Sequence, residues 1–282
     1  MSTSHKFKTR KFKISHSFME TMESCKRKWF HRYVQKLYPK VEDDGSGTFG
    51  SFTHEVAEDF RGTSLKDLML LAKEKLKDYE INDTYKPKVK NTLLNFFKYY
   101  KENLEHLDSK KIKREQDFSF PSHIEGYDFK GLIDILIVRN NKIVIGDYKT
   151  NKKEKDNTKQ LAFYFLLLKF VGAVKEDEID GEIIYLSLED EDDVVIEKYH
   201  LTEEDLDQAL DRVETIVKII ETKGTDDINK WQKKVGPLCD YCDYKKAGIC
   251  DAKEEKVDNQ LKEFIIKKKA RKKKEGQYYG VR

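Results

Sequence analysis

Three charged side chains set among apolar residues carry the strongest chemical suggestion in this chain. Asp134 interrupts the run Gly131-Leu132-Ile133-Asp134-Ile135-Leu136-Ile137-Val138. An unpaired carboxylate is costly to bury in such a segment, so it calls for a cation. Asp147 and Lys149 lie two residues apart in Gly146-Asp147-Tyr148-Lys149-Thr150. In a β-strand that spacing sends both side chains from one face, roughly 7 Å apart along the strand. Carboxylate oxygens are the ligands that magnesium or manganese prefers. A divalent ion held there would lower the pKa of a bound water and offset charge building on a phosphodiester under attack. Lys149 would hold the water and face the developing negative charge. A single D-x-K pair also arises by chance as a surface ion pair, so the surroundings decide its meaning.

The four cysteines form a second group: Cys239 and Cys242 in a C-x-x-C, Cys250 eight residues later, and Cys25 near the other end. Nothing in the polar, basic N-terminus suggests export, so a metal site is a better expectation than disulfides. Four thiolates suit an iron–sulfur cluster or structural zinc, and the intervals do not choose between them.

The elements that must position these residues follow from periodicity. A helix is expected from Ser17, with Ser17-x-x-Glu20 as capping box and Phe18, Met22, Cys25, Trp29, Tyr33 and Leu37 along one stripe. Residues 43–50 read as a glycine-rich loop, and Phe52, Val56 and Phe60 mark a second helix carrying His54. Helices are expected over 64–80 and 84–107. The period then shifts to strands over 113–120, 127–139 and 142–150, with Asn140-Asn141 as a tight hairpin turn. An apolar helix over 158–171 ends at Gly172, strands follow over 179–188 and 194–200, and a capped helix starts at Thr202.

The order predicts an α/β fold with a helical insertion before the sheet and a cysteine-bearing segment after it. One domain is expected over 1–252, comprising a helical part at about 17–107, a sheet core at about 113–222 and a cysteine segment at 231–252. Residues 253–282 read as a basic tail, in which Lys267, Lys268, Lys269, Arg271, Lys272, Lys273 and Lys274 are candidate DNA contacts. The formal net charge of the whole chain is only +3, so attraction to nucleic acid must come from such local patches. No apolar stretch is long enough to span a bilayer, which leads us to expect a cytoplasmic protein with no membrane partner.

Taken together, G-L-I-D at 131–134, G-D-Y-K-T at 146–150 and Q-x-x-x-Y at Gln160 and Tyr164 resemble the PD-(D/E)xK nuclease superfamily. More narrowly, the chain resembles its RecB-like exonuclease branch. The resemblance implies a restriction-endonuclease-like core, a mixed central sheet flanked by helices. It also implies His54, in G-S-F-T-H at 50–54, as a metal ligand beside Asp134 and Asp147, and Glu115 as a secondary acidic residue. Gln160 and Tyr164, at i and i+4 on one helix face, would position substrate and the lysine. One cysteine before the core and three after it resemble the iron–sulfur members, including AddB-type nucleases and the Cas-four family of CRISPR adaptation. That implies a [4Fe–4S] cluster on Cys25, Cys239, Cys242 and Cys250, with zinc as the alternative; Lys26 stands where those families often place a proline.

The function so implied is a magnesium- or manganese-dependent deoxyribonuclease. Exonuclease action on single-stranded or frayed ends is expected in repair, recombination or CRISPR and viral DNA processing. Helicase, recombination or adaptation proteins are conceivable partners, since the chain has no phosphate-binding G-x-x-x-x-G-K-[ST] loop of its own. The competing expectation is a non-catalytic nucleic-acid-binding module built around the cysteine site.

Overall fold

A computed structural model describes residues 12–40, 45–150, 157–175, 178–187 and 193–251. The chain divides into two compact units, one formed by 1–23 and 42–227, the other by 24–41 and 228–282.

The first unit is built on a mixed sheet. Its strands, among the described residues, are β1 (Phe12–Ile14), β2 (Ile112–Pro121), β3 (Tyr127–Arg139), β4 (Lys142–Lys149), β5 (Ile179–Tyr185) and β6 (Val195–Leu201). The order is β1-β3-β4-β5-β6, with β2 on the other edge of β3. β2–β3–β4 is the expected antiparallel meander, and Asn140 and Asn141 both take positive φ (52° and 61°) in its hairpin turn. Asn tolerates that left-handed conformation because its short polar side chain can bond locally. β4 and β5 run parallel, joined by a crossover through the helix at Thr158–Phe170, and β6 closes the far edge antiparallel.

Helices flank this sheet, as the fold class requires. Those of this unit are α1 (His16–Ser24), α3 (Ser46–Asp59), α4 (Leu65–Lys75), α5 (Lys86–Asn103), α6 (Thr158–Phe170) and α7 (Glu203–Lys223), while α2 (Lys26–Trp29) and α8 (Asp243–Lys246) belong to the second unit. Helices α3 to α5 bury Phe52, Val56, Phe60, Leu68 and Phe96 against Ile135, Ile137, Val144 and Tyr148 of the sheet. At roughly 1.5–3 kcal/mol for each fully buried large apolar side chain, this cluster dominates the local energetics. Thr202 caps α7 reciprocally with Asp205, as its sequence signal requires. α6 is buried almost all round, which explains its uninterrupted apolar run.

Several sequence expectations change, among them the glycine-rich loop expected over 43–50, of which Ser46 to Gly50 already form the first turn of α3. The first helix does not run from Ser17 to Leu37: Cys25 is extended (φ −160°, ψ 112°), and the chain resumes as α2 and then a π-helical turn at Phe30–Val34. The cap is Ser15, whose hydroxyl accepts from the Phe18 amide at 3.1 Å, rather than Ser17. Strand β1, too short to show a period, pairs parallel with Tyr127–Phe129 of β3. The helices expected over 64–80 and 84–107 are shorter at their ends, at Leu65–Lys75 and Lys86–Asn103.

The second unit has little regular structure, and aromatic stacking joins its two chain segments. Trp29 and Trp231, both fully buried, stack at 4.7 Å between ring centroids. Arg27 donates to the Trp231 carbonyl (2.7 Å), Tyr244 donates its hydroxyl hydrogen to the Leu37 carbonyl (2.7 Å), and His31 stacks on Tyr244.

Candidate active site

The candidate site lies where two strands part. β3 and β4 pair from Arg139↔Lys142 to Ile135↔Gly146, and their ladder stops there. The next residues along are Asp134 and Asp147. Gly146 lets the strands close up to this point: a Cβ there would stand 2.4 Å from Ile135 Cγ2 and 3.2 Å from Ile184 Cδ1. Beyond it, the Asp134 side chain takes over from the ladder, its Oδ2 accepting the Tyr148 backbone amide at 2.8 Å. The sequence reading missed this amide, because side-chain spacing says nothing about where a ladder ends.

Asp147 is almost fully buried, and Lys149 Nζ lies 2.6 Å from its Oδ2. That contact is an ion pair outside hydrogen-bond geometry, so Oδ2 has no hydrogen-bond partner. Gln160, from the first turn of α6, ties the group together. Its Nε2 donates to Asp147 Oδ1 (2.7 Å) and to the Tyr164 hydroxyl oxygen (2.9 Å), while its Oε1 accepts from Lys149 Nζ (3.0 Å). A single amide thus fixes the carboxylate, the lysine and the tyrosine. On the other side, His54 of α3 places Nδ1 3.3 Å from Asp134 Oδ1 and its ring edge-on to Tyr148.

The electrostatics show how the two carboxylates strain against each other. Burial, and then the neighbouring charge of Asp134, push Asp147 up to about 6 against the pull of Lys149 and His54. Burial works against a charge on His54, but the hydrogen bond and charge of Asp134, then the charge of Asp147, outweigh it and raise its pKa. Burial holds the Tyr164 hydroxyl well above the usual phenol range, so it serves as a neutral hydrogen-bonding group.

Glu115 sits across β2 from Asp134, in a left-handed conformation (φ 43°) that omits it from the pairing between Arg114↔Ile135 and Gln116↔Ile133. It lines a cleft of about 670 Å³ together with His54, Glu55, Glu58, Tyr79 and Leu132. Burial, then a hydrogen bond to Glu115 and the charge of that carboxylate, raise Glu58 to about 7. Glu58 follows His54 by four residues on α3, a spacing from which it could have been found.

The four cysteines all fall in the second unit, each half-buried. Cys239 directs its thiol to the Lys234 carbonyl (3.7 Å), and its carbonyl accepts the Cys242 amide (3.1 Å). Among the described residues, no group of three or more His, Cys, Asp or Glu side chains stands at metal-ligating geometry, at the cysteines or at the strand fork. At the fork, however, the donors suit a hard divalent ion: two carboxylates that repel each other, one with an oxygen lacking a hydrogen bond, and an imidazole. The basic run from Lys267 to Lys274 lies outside the described residues.

A family model described as the PD-(D/E)XK nuclease superfamily matches residues 13–251, which contain the fork and all four cysteines. The chain belongs to the PD-(D/E)XK nuclease superfamily. Among solved structures, a provisionally named exonuclease of Eubacterium rectale matches at 14% identity and a TM-score of 0.51, over 86% of this chain and 92% of that one. At that identity the likeness concerns the fold, which is the mixed sheet flanked by helices typical of the superfamily. Weaker likenesses are SSO0001 (15% identity, TM-score 0.33, 79% of this chain and 95% of that one) and VC1899 of Vibrio cholerae (12%, TM-score 0.25, 79% and 59%). No curated protein matches. Superfamily nucleases typically use magnesium or manganese, and no helix among the described residues is long and apolar enough to cross a membrane.

Proposed function

We propose that this superfamily member hydrolyses phosphodiester bonds of DNA at the fork between β3 and β4. The observation that carries this is the bonded set Asp147, Lys149, Gln160 and Tyr164, with Asp134 and His54 alongside. Asp134, Asp147 and His54 would hold magnesium or manganese, which when bound acidifies water and offsets charge on the scissile phosphate. The residues themselves divide the remaining work. Lys149 presents a cation to the attacking water and the phosphate oxygens, and Gln160 fixes its direction. Tyr164, kept protonated, holds Gln160 in place. Glu115, with Glu58, extends the acidic wall beside His54. We favour exonuclease action on single-stranded or frayed ends, in repair, recombination or CRISPR and viral DNA processing.

The four cysteines receive no role in the cleavage step. We assign them a shared structural group, [4Fe–4S] or zinc, on the resemblance of their order along the chain; they lie in one unit, though not gathered at metal-ligating geometry among the described residues. Assay of iron, acid-labile sulfide and zinc on protein purified without oxygen separates these. The cluster reading requires iron and sulfide in equal amounts, and stoichiometric zinc without iron contradicts it.

The nuclease reading is tested with end-labelled single- and double-stranded DNA in magnesium or manganese. Wild type should degrade DNA, and Asp147→Ala should lose about 10³-fold or more of that activity, a difference of several kcal/mol. Equal degradation by both proteins would refute the site. If neither degrades DNA and both bind it, the non-catalytic binding module is the correct reading.

A further inference from the structure

The second unit concentrates the positive charge of the described chain. Its described residues, 24–40 and 228–251, carry eleven Lys or Arg against three Asp, a formal excess of +8 within a chain of net +3. Two of those three acids are already occupied, Asp240 by Lys245 (2.9 Å) and Asp251 by Lys233 (2.5 Å). Arg32, Lys36, Lys40, Lys234 and Lys246 are exposed. A surface this lopsided attracts a polyanion.

The same unit also exposes large side chains, two of them aromatic, that its own core does not use. Tyr241 is 78% exposed, Leu238 75% and Tyr38 65%. The Tyr244 hydroxyl bonds the Leu37 carbonyl, which ties the stretch carrying Tyr38 to the short α8 helix that begins two residues after Tyr241. Exposed tyrosines among lysines match what an unpaired nucleic-acid strand needs, which is a π-face for bases and cations for phosphates. A duplex, whose bases are already stacked, would use only the cations.

We infer that the second unit is a binding surface for single-stranded DNA, with Tyr38 and Tyr241 as base-stacking platforms and Lys234 and Lys246 among its phosphate contacts. It rests on the reading of the chain as a DNA nuclease, but it assigns strand capture to residues outside the strand fork.

The test measures fluorescence anisotropy of labelled oligo(dT) of twenty nucleotides with the full chain, without added divalent metal, across salt concentrations. Tyr38→Ala with Tyr241→Ala should weaken binding by roughly tenfold or more, and Tyr38→Phe with Tyr241→Phe should restore it, since phenylalanine keeps the π-face. Lys234→Gln with Lys246→Gln should reduce the slope of log affinity on log salt by about 1.4. The inference is overturned if the alanine pair binds as wild type does. It is also overturned if duplex of the same length binds as tightly and is equally weakened by the alanine pair, or if phosphatidylserine vesicles bind while oligo(dT) does not. Degradation of DNA in magnesium, assayed separately, keeps this surface distinct from the fork: unchanged binding with continuing degradation removes the surface alone, whereas binding without degradation removes the nuclease reading alone.

Discussion

The two units of this chain solve opposite electrostatic problems. Residues 1–23 and 42–227 carry 44 acidic against 33 basic side chains, a net −11, and within them the fork buries Asp147 beside Asp134, so that burial and then the neighbouring charge raise its pKa. The described part of the second unit carries +8 and leaves aromatic rings in solvent. The acidic unit is dense in sheet and helix and spends its polar groups on one another; Gln160 alone engages three partners. The basic unit has a small stacked core and turns most of its charge outward. Chemistry that needs a preorganised low-dielectric pocket belongs to the first arrangement, and salt-sensitive capture of a polyanion to the second.

The largest effect expected from separating the units is on stability. Trp231→Ala removes one partner of the buried indole stack and should cost about 3–5 kcal/mol. Hydrogen exchange should lose protection in 24–40 and 228–251 while the β3 and β4 amides keep theirs. Equal loss in both would show that the units do not unfold separately.

A second prediction concerns pH. The folded pKa of Asp147, about 6, lies above its ordinary 3.8, so its ionisation disfavours the folded state. Without metal, the stability of wild type relative to Asp147→Asn should therefore fall as pH rises from about 4 to about 6, and level off above that. His54 acts in the opposite sense at higher pH: its raised pKa gives stability that is present below about 6.5 and lost as pH rises through the folded value. Magnesium or manganese should recover the Asp147 deficit at neutral pH. Melting temperatures that track each other across the window would contradict the crowding of the two carboxylates.

The smallest of these effects belongs to Gln160→Ala. Removing the amide that orients Asp147 and Lys149 should lower cleavage by about 10- to 100-fold while oligonucleotide affinity holds. A loss of affinity with unchanged turnover would place Gln160 in substrate binding instead.

Sequence periodicity revealed the first unit well. β3 occupies the expected 127–139, the Asn-Asn turn has its left-handed angles, and Gly172 (φ 67°) ends α6 as expected, because each of these is a local consequence of residue type. That Asp147 and Lys149 share a strand face was legible from i, i+2 spacing, and that Gln160 and Tyr164 share a helix face from i, i+4 spacing; the ion pair and the hydrogen bond themselves come from the structure. The strand fork was not legible, since where β3 and β4 part depends on tertiary pairing. In the second unit, an apolar stripe through Cys25 suggested one continuous helix. There the fully buried pairing of Trp29 with Trp231, 202 residues apart in the sequence, coexists with a break that no period records. Opposite charges in the two units were visible only once their boundaries were known, because the whole-chain value of +3 averages them away.

The central claim is that the fork hydrolyses phosphodiesters through Asp134, Asp147 and Lys149. Its most direct test is cleavage of one end-labelled single-stranded oligonucleotide in magnesium by wild type and Lys149→Ala, at matched folding and matched DNA binding. The account predicts a product ladder from wild type and a loss of about 10²-fold or more in Lys149→Ala. Cleavage at the wild-type rate by Lys149→Ala would contradict it.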